Sequence, residues 1–377
     1  MKYQYMLLLS AVLFMAYSFS DFRKVQKGYS AEELRELYGS GNPGRWPEPQ
    51  LFDEVKEGFR DIGVLPAPGF PAANPYSETK EELGKMLFFD PRLSKSGQIS
   101  CASCHDPELA WADGRRVAYG HNRQLGTRNA PTILNIAYAR QYFWDGRAAS
   151  LEDQAKAPIE NPREMNFHSR LAVKAIAKIK GYKMHFRKAF GTDRITEKQI
   201  TDAIATFERT IVSPKSRFDR FISGEKKVMT DSEISGLHLF RTKANCINCH
   251  NTPYFSDQKF HNIGLTYFGR EYEDLGLYHI TKKNEDVGKF KTPTLREISR
   301  TAPYMHNGLF PNLRGVLNMY NAGMPNEKRN RDSPLAPQKS GMLKRLNLTN
   351  EELRDLENFL NTLHSYKYKM RAPQLPE

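Results

Sequence analysis

Strand signals are few and short along the 377 residues. No βαβ pattern frames a redox dithiol of the thioredoxin type, which sits after a strand. There is no dense Lys/Arg tract with interleaved aromatics, although the formal net charge is +13, so nucleic acid is not the expected partner. The one N-terminal apolar run, Met6 to Tyr17, is too short to span a bilayer comfortably. Cysteine is scarce: only four occur, and none lies near that run, which excludes a lipoprotein anchor.

Those four cysteines fall in two copies of one pentapeptide, Cys101-Ala102-Ser103-Cys104-His105 and Cys246-Ile247-Asn248-Cys249-His250. Cys-x-x-Cys-His is the attachment pattern of c-type haem. Two thiols add across the vinyl groups, and the adjacent histidine offers a nitrogen to the iron. A four-cysteine zinc site would use the same thiols but would leave both following histidines unexplained. The spacing therefore predicts two covalent haem c groups, held by Cys101, Cys104 and His105 and by Cys246, Cys249 and His250.

Residues 1–20 read as an export signal: Lys2, the apolar run, then Ser18-Phe19-Ser20 as a small-x-small cleavage site. Export agrees with c-type haem and points to a periplasmic protein with no stable membrane span after processing, an uncleaved N-terminal anchor being the alternative. Charged residues make up 26% of the chain, which fits a soluble mature protein. Its positive charge would steer an acidic redox partner.

Periodicity predicts a mainly α chain. Thr79-x-x-Glu82 reads as a capping box opening a helix through Leu83, Met86 and Leu87. Thr196 caps a run with Ile200, Ala203, Ile204, Phe207 and Ile211 at helical spacing, ended by Ser213-Pro214. Leu171, Ala175, Ile176 and Ile179 form an earlier stripe. Thr349-x-x-Glu352 opens the last helix, with Leu353, Leu356, Phe359, Leu360 and Leu363 on one face. Gly84-x-x-Leu87-Phe88 precedes the first pentapeptide and Gly236-x-x-Leu239-Phe240 the second. The echo predicts two cytochrome c-like haem domains related by duplication, 79–215 and 216–377. A Pro- and Gly-rich segment, 21–78, is expected to wrap the first domain, and Asn326 to Gln338 to form an exposed basic loop.

The face of each iron opposite its histidine decides reactivity. His121, in a Gly-rich loop, is a candidate ligand for the first haem. Met305, Met319 and Met324 are candidates for the second, and spacing does not choose among them.

The chain resembles the dihaem cytochrome c peroxidases and their MauG-type relatives. The similarity rests on Leu93-Ser94-x-Ser96-Gly97, Gly120-His121, Thr127-Arg128-Asn129-x-Pro131, Phe143-Trp144-Asp145-Gly146-Arg147-Ala148 and Glu164-Met165-Asn166. It continues through Phe260-His261-Asn262-Ile263-Gly264, Phe290 to Arg296, and Ala302-Pro303-Tyr304-Met305-His306-x-Gly308. The resemblance implies that His121 is the displaceable ligand of a low-potential, peroxidatic N-terminal haem. It implies that Met324 is the axial ligand of a high-potential, electron-transfer C-terminal haem. Glu164, with Gln154 beside it, would be the acid/base that moves a proton between the peroxide oxygens. Trp144 would carry electrons between the haems. Asn129, Thr301 and Pro303 would hold a calcium ion through oxygen ligands.

The implied activity is periplasmic reduction of hydrogen peroxide to water by a cytochrome-c peroxidase. Electrons would come from a small cytochrome c or a cupredoxin, and the enzyme would be a homodimer. A MauG-like enzyme oxidising residues of a partner protein is the alternative. In MauG-type members a tyrosine replaces the methionine ligand, and Tyr304 and Tyr320 stand nearby. A plain dihaem electron carrier is the third reading, and it would need no Glu164.

Overall fold

Six side-chain caps start the helices that frame the two pentapeptides. Ser77, Ser150, Thr196, Thr230, Asn312 and Thr349 each accept a hydrogen bond from the backbone N–H three residues on, which satisfies a donor the helix leaves free. The structure is a computed structural model that describes residues 28–326, 332–365 and 370–377. The expected export signal, and Lys328, Arg329 and Arg331 of the basic loop, lie outside the described residues.

Among the described residues the helices are α1 (Ala31–Tyr38), α2 (Asp53–Lys56), α3 (Glu78–Phe89), α4 (Leu151–Glu160), α5 (Ser169–Lys178) and α6 (Lys180–Phe190). They continue with α7 (Glu197–Thr210), α8 (Arg217–Ile222), α9 (Asp231–Arg241), α10 (Tyr278–Thr281), α11 (Leu313–Asn321) and α12 (Asn350–Leu360). Two-residue strands β1 (Phe260–His261) and β2 (Phe290–Lys291) pair antiparallel. The chain is mainly helical with few strands, as its periodicity predicts.

Two hydrophobic cores organise these helices. The first gathers α3 against α7 and includes Leu83, Leu87, Phe88, Trp111 and Phe207. The second gathers α9 against α12 and includes Leu237, Phe240, Phe255, Leu356 and Phe359. The aromatic centres match: Phe88 meets Phe207 edge-on at 5.4 Å, and Phe240 meets Phe359 edge-on at 5.2 Å. Trp111 and Phe255 complete each triad.

The echoed glycines explain how closely the helix pairs cross. A β-carbon at Gly84 would stand 1.9 Å from the Ala203 carbonyl oxygen, and one at Gly236 2.0 Å from that of Asp355. Only glycine admits such an approach. Gly236→Ala should therefore destabilise the protein by about 1–3 kcal/mol or more. Denaturant melts checked against Gly69→Ala, where a β-carbon meets nothing within 4 Å, would reveal it.

Three expectations need correction. Helix α3 begins two residues earlier than the Thr79 box implies, because Ser77 caps it. Leu171 is 51% exposed on α5; Ile176 is buried as expected, with Ala172 beside it in place of Leu171. The N-terminal segment is partly helical and does not wrap the first core alone. Leu34, Tyr38, Trp46 and Ile62 bury against the second core, and Arg241 ties it down through ion pairing with Asp61 and a hydrogen bond to the Pro47 carbonyl. Only its end reaches the first core, where Asn74 donates to the Asp202 carbonyl at 2.9 Å. The charged Arg241 side chain lies inside the second core, and this segment supplies its acceptors. The Ser30-x-x-Glu33 capping box of α1 was a readable signal.

Candidate haem sites

Each pentapeptide forms one turn of 3-10 helix, Cys101–Ser103 and Cys246–Asn248. The histidine N–H closes on the first cysteine carbonyl, at 3.0 Å for His105 and 2.9 Å for His250. His105 Nδ1 lies 3.1 Å from the Trp111 carbonyl oxygen, and His250 Nδ1 lies 3.0 Å from that of Phe255. A carbonyl only accepts, so Nδ1 carries the proton in both and Nε2 is left free for a metal. Trp111 and Phe255 both adopt positive φ, +59° and +56°. Burial lowers both imidazole pKa values and favours the neutral, metal-binding form.

The thiols fit haem better than zinc. Burial pushes Cys104 and Cys246 up to about 12, and Cys101 and Cys249 higher still. Each pair is followed by a histidine with Nε2 free, which haem uses and a four-cysteine zinc site would not. Among the described residues no four-cysteine cluster forms. Cys249, Asp257 and His261 do converge, but His261 is spent on Asp257 at 2.7 Å.

Beside the first pentapeptide the structure brings His121 and Glu164 together. The His121 N–H donates to the Glu164 carbonyl at 2.7 Å. A β-carbon at Gly120 would stand 2.0 Å from the Arg163 carbonyl oxygen, so the loop rests directly on the Glu164 segment. His121 is 9% exposed, and its Nδ1 has no hydrogen-bond partner. Glu164 Oε1 accepts from Asn161 Nδ2 at 2.7 Å. Burial raises the Glu164 pKa, against the opposing pull of Arg147 and Asn161. Its charge bears on both Cys101 and Cys104. Gln154 is half-buried on α4, but the side-chain partner of Glu164 is Asn161.

A single cavity runs from the second pentapeptide to the expected bridge and calcium residues. Cys246, Cys249 and His250 line it together with Trp144, Asn129, Thr301 and Pro303. Trp144 Nε1 donates to the Asn129 carbonyl at 2.9 Å, and Asn129 N–H donates to the His306 carbonyl at 2.8 Å. The Trp144 and His306 rings meet edge-on at 6.3 Å. Asn129 Nδ2 is spent on the Arg115 carbonyl. Its Oδ1 and the carbonyls of Thr301 and Pro303 take no hydrogen bond among those described, so this oxygen set is compatible with a hard cation.

His306 stacks on Phe290 at 3.6 Å, and its buried Nε2 has no partner. Burial pushes its pKa down to about 4; Asp274 opposes this and Arg128 adds to it. His306 is thus a neutral group between the two halves of the molecule.

Met324, expected as the axial ligand, is buried just beyond the end of α11. Met324 follows the α11 C-cap at φ +58°, bonded through its N–H to the Met319 carbonyl, and it does not line the cavity. Leu313, Val316, Leu317 and Tyr320 of α11 do, at i, i+3, i+4 and i+7 on one helix face. Burial raises the Tyr320 hydroxyl pKa strongly, and charge on Cys249 and Cys246, which line the same cavity, adds to it. Met305 is a wall residue too. Helix phase was the signal that distinguishes Tyr320 from Met324.

Residues 78–227 match the family model for di-haem cytochrome c peroxidase. The chain is 41% identical over 325 residues to the methylamine utilization protein MauG of Methylorubrum extorquens, covering 85% of this chain and 88% of that protein. It is 40% identical over 258 residues to the cytochrome c551 peroxidase of Nitrosomonas europaea, covering 66% and 76%. A crystal structure described as a MauG-like protein associated with microbial copper homeostasis superposes with a TM-score of 0.73 at 34% identity, over 80% of this chain and 94% of that one.

Proposed function

This chain belongs to the di-haem cytochrome c peroxidase family, and we propose that within it the enzyme is a MauG-type oxidant. It would use hydrogen peroxide to remove electrons from residues of a partner protein. The supporting observation is Tyr320 in the wall of the second haem cavity, with Met324 outside it. An anionic oxygen ligand holds ferric iron, whereas a thioether favours ferrous iron and a high potential. A Tyr320-ligated second haem is therefore poor at collecting electrons from a mild donor and suited to holding oxidising equivalents.

The bound haems supply the one-electron and peroxide chemistry. His105 and His250 would hold them through Nε2, each oriented by an Nδ1–H bond to a carbonyl. Glu164 is the acid/base. Asn161 fixes Oε1, which leaves Oε2 to take a proton from one peroxide oxygen and return it to the other. His121 gates the first haem, and displacing its loop breaks the N–H bond to the Glu164 carbonyl. Trp144 is held between the halves by its bond to Asn129. Asn129 Oδ1 and the carbonyls of Thr301 and Pro303 would hold a calcium ion there.

The two haem units arose by duplication and act from the periplasm. The matched aromatic triads, glycine crossings and carbonyl-oriented histidines support the duplication. A peroxidase fed by a small cytochrome c or cupredoxin is the second reading. The similarity to a cytochrome c551 peroxidase and Met305 in the cavity wall favour it.

Tyr320→Met distinguishes the two. Potentiometry of the holoenzyme should show the second haem rising by a few hundred mV, a fraction of the ~0.8 V that axial ligands span. Peroxide-dependent oxidation of a reduced small cytochrome c should be slow in the wild type, fully oxidised or half-reduced, and faster in the variant. An unchanged potential would remove Tyr320 from the iron. Fast wild-type turnover would establish the second reading.

A further inference from the structure

Glu208 lies inside the first core, 3% exposed, and its Oε2 has no hydrogen-bond partner. Its position relative to the haem follows from the internal match of the two cores. Gly84 meets Ala203 as Gly236 meets Asp355, and Phe207 meets Phe88 as Phe359 meets Phe240. One residue further along each helix, Glu208 on α7 corresponds to Leu360 on α12. Leu360 lines the second haem cavity. Glu208 thus stands in the wall of the first haem site, where its counterpart is a hydrocarbon. It lies near enough to the Cys101 thiol and the Tyr142 hydroxyl for its charge to raise both.

We propose that Glu208 is the redox-linked proton site of the first haem: it holds a proton on Oε2 while the iron is reduced and releases it when the iron is oxidised. The inference goes beyond the proposed oxidant function. It requires only that a haem is attached at Cys101 and Cys104, whatever donates its electrons.

A buried, unpaired carboxylate is costly, so Glu208 is held as the neutral acid. The neighbouring Arg209 does not relieve it, because that guanidinium is forked onto Glu152 at 2.7 and 3.0 Å. Burial pushes the Glu208 pKa up to about 8, with Arg209 opposing and Glu152 reinforcing the rise. The other groups facing this wall are Tyr142 and Cys101. Glu164 bears on Cys101 and Cys104, and Asp113 and Arg115 bear on Cys104. Loss of one electron from the iron adds one positive charge to a site of low polarity. Glu208 compensates by losing one proton to solvent, and the electron passes to peroxide; on reduction one electron and one proton return. The second haem, faced by Leu360, has no such compensation at this position.

The test is potentiometry of the full-length holoenzyme over a range of pH, with the second haem as internal reference. The ionised carboxylate stabilises ferric iron. The first-haem potential should therefore fall as pH rises through the Glu208 titration. In Glu208→Gln it should match the wild type at low pH, stay higher at high pH and lose the slope. Glu208→Leu, which copies the second site, should be flat as well. The redox-difference infrared spectrum of the wild type should contain a protonated-carboxyl band that vanishes in Glu208→Gln, a readout that does not depend on turnover. Equal pH slopes in wild type and Glu208→Gln would overturn the assignment. So would a wild-type redox-difference spectrum without a carboxyl band.

Discussion

Glu164→Gln should lower peroxide-driven turnover by about 10²–10⁴-fold, the range a positioned acid/base contributes, with both haems still attached. The substitution isolates proton chemistry from packing. A glutamine carbonyl can still accept from Asn161 Nδ2, as Oε1 does at 2.7 Å. The backbone bond from His121 to residue 164 does not involve the side chain. What glutamine lacks is an oxygen able to take a proton from one peroxide oxygen and give it to the other. The pH profile supplies the second criterion. Burial raises the Glu164 pKa, so the carboxylate that starts proton transfer disappears at a higher pH than an ordinary glutamate would. The wild-type rate should fall on its acid side through that raised value, and the residual rate of the variant should lack this limb. Stopped-flow mixing with peroxide reads both. Full turnover in Glu164→Gln would assign the proton chemistry to another group.

What could be read from the sequence was whatever chemistry demands over a short span. The pentapeptides are visible because thioether attachment and iron ligation need Cys, Cys and His within one turn. The boxes at Thr196 and Thr349 are visible because a cap and its partner stand three residues apart. The Gly84 and Gly236 echo is visible because a helix crossing at 1.9–2.0 Å to a would-be β-carbon leaves no other choice.

The cavity wall was harder, because it draws on helices distant in sequence. Tyr320 and Met324 are four residues apart, and only the end of α11 at Asn321 separates them. The tyrosine continues the buried face of the helix, while the methionine lies beyond the reversal at Gly323. Glu208 was hidden for a related reason. Its neighbours Phe207 and Arg209 suggest an ordinary amphipathic helix, and only the comparison with Leu360 reveals which wall it faces. The destination of the N-terminal segment depends on Arg241, more than 170 residues from Asp61, and nothing local announces that pair.

Arg128→Ala should cost about 3–5 kcal/mol of folding stability at neutral pH, the usual price of removing one partner from a buried ionic network. Arg128 joins segments nearly 130 residues apart. Its Nη1 reaches Asp145 at 2.6 Å, and its Nε and Nη2 fork onto Asp274 at 2.6 and 2.8 Å. Its flank lies on the Phe290 ring, on which His306 also stacks. Without the guanidinium, Asp145 keeps Arg147 at 2.9 Å, while Asp274 keeps the Gly276 N–H and a distant His279 at 3.8 Å. Lysine would restore a charge but not the fork, so Arg128→Lys should recover only part of the loss.

The pH dependence separates charge from packing in this network. Burial would raise both carboxyl pKa values; Arg128 and Arg147 at Asp145, and Arg128 at Asp274, more than offset it and hold both below the ordinary range. For a depressed carboxyl the stabilisation is fully present above the unfolded value, about 3.9, and is lost as pH falls through the lower folded value. The gap between wild type and Arg128→Ala should therefore be widest near neutrality and narrow below about pH 4. Denaturant unfolding of the holoenzyme at both pH values measures it. A gap of equal size in acid would mean that Arg128 acts through its contact with Phe290 rather than through its charge. In that case Trp144, Asn129 and His306 are held in line by packing, and the ion pairs around Asp145 contribute little to the alignment of the two haem sites.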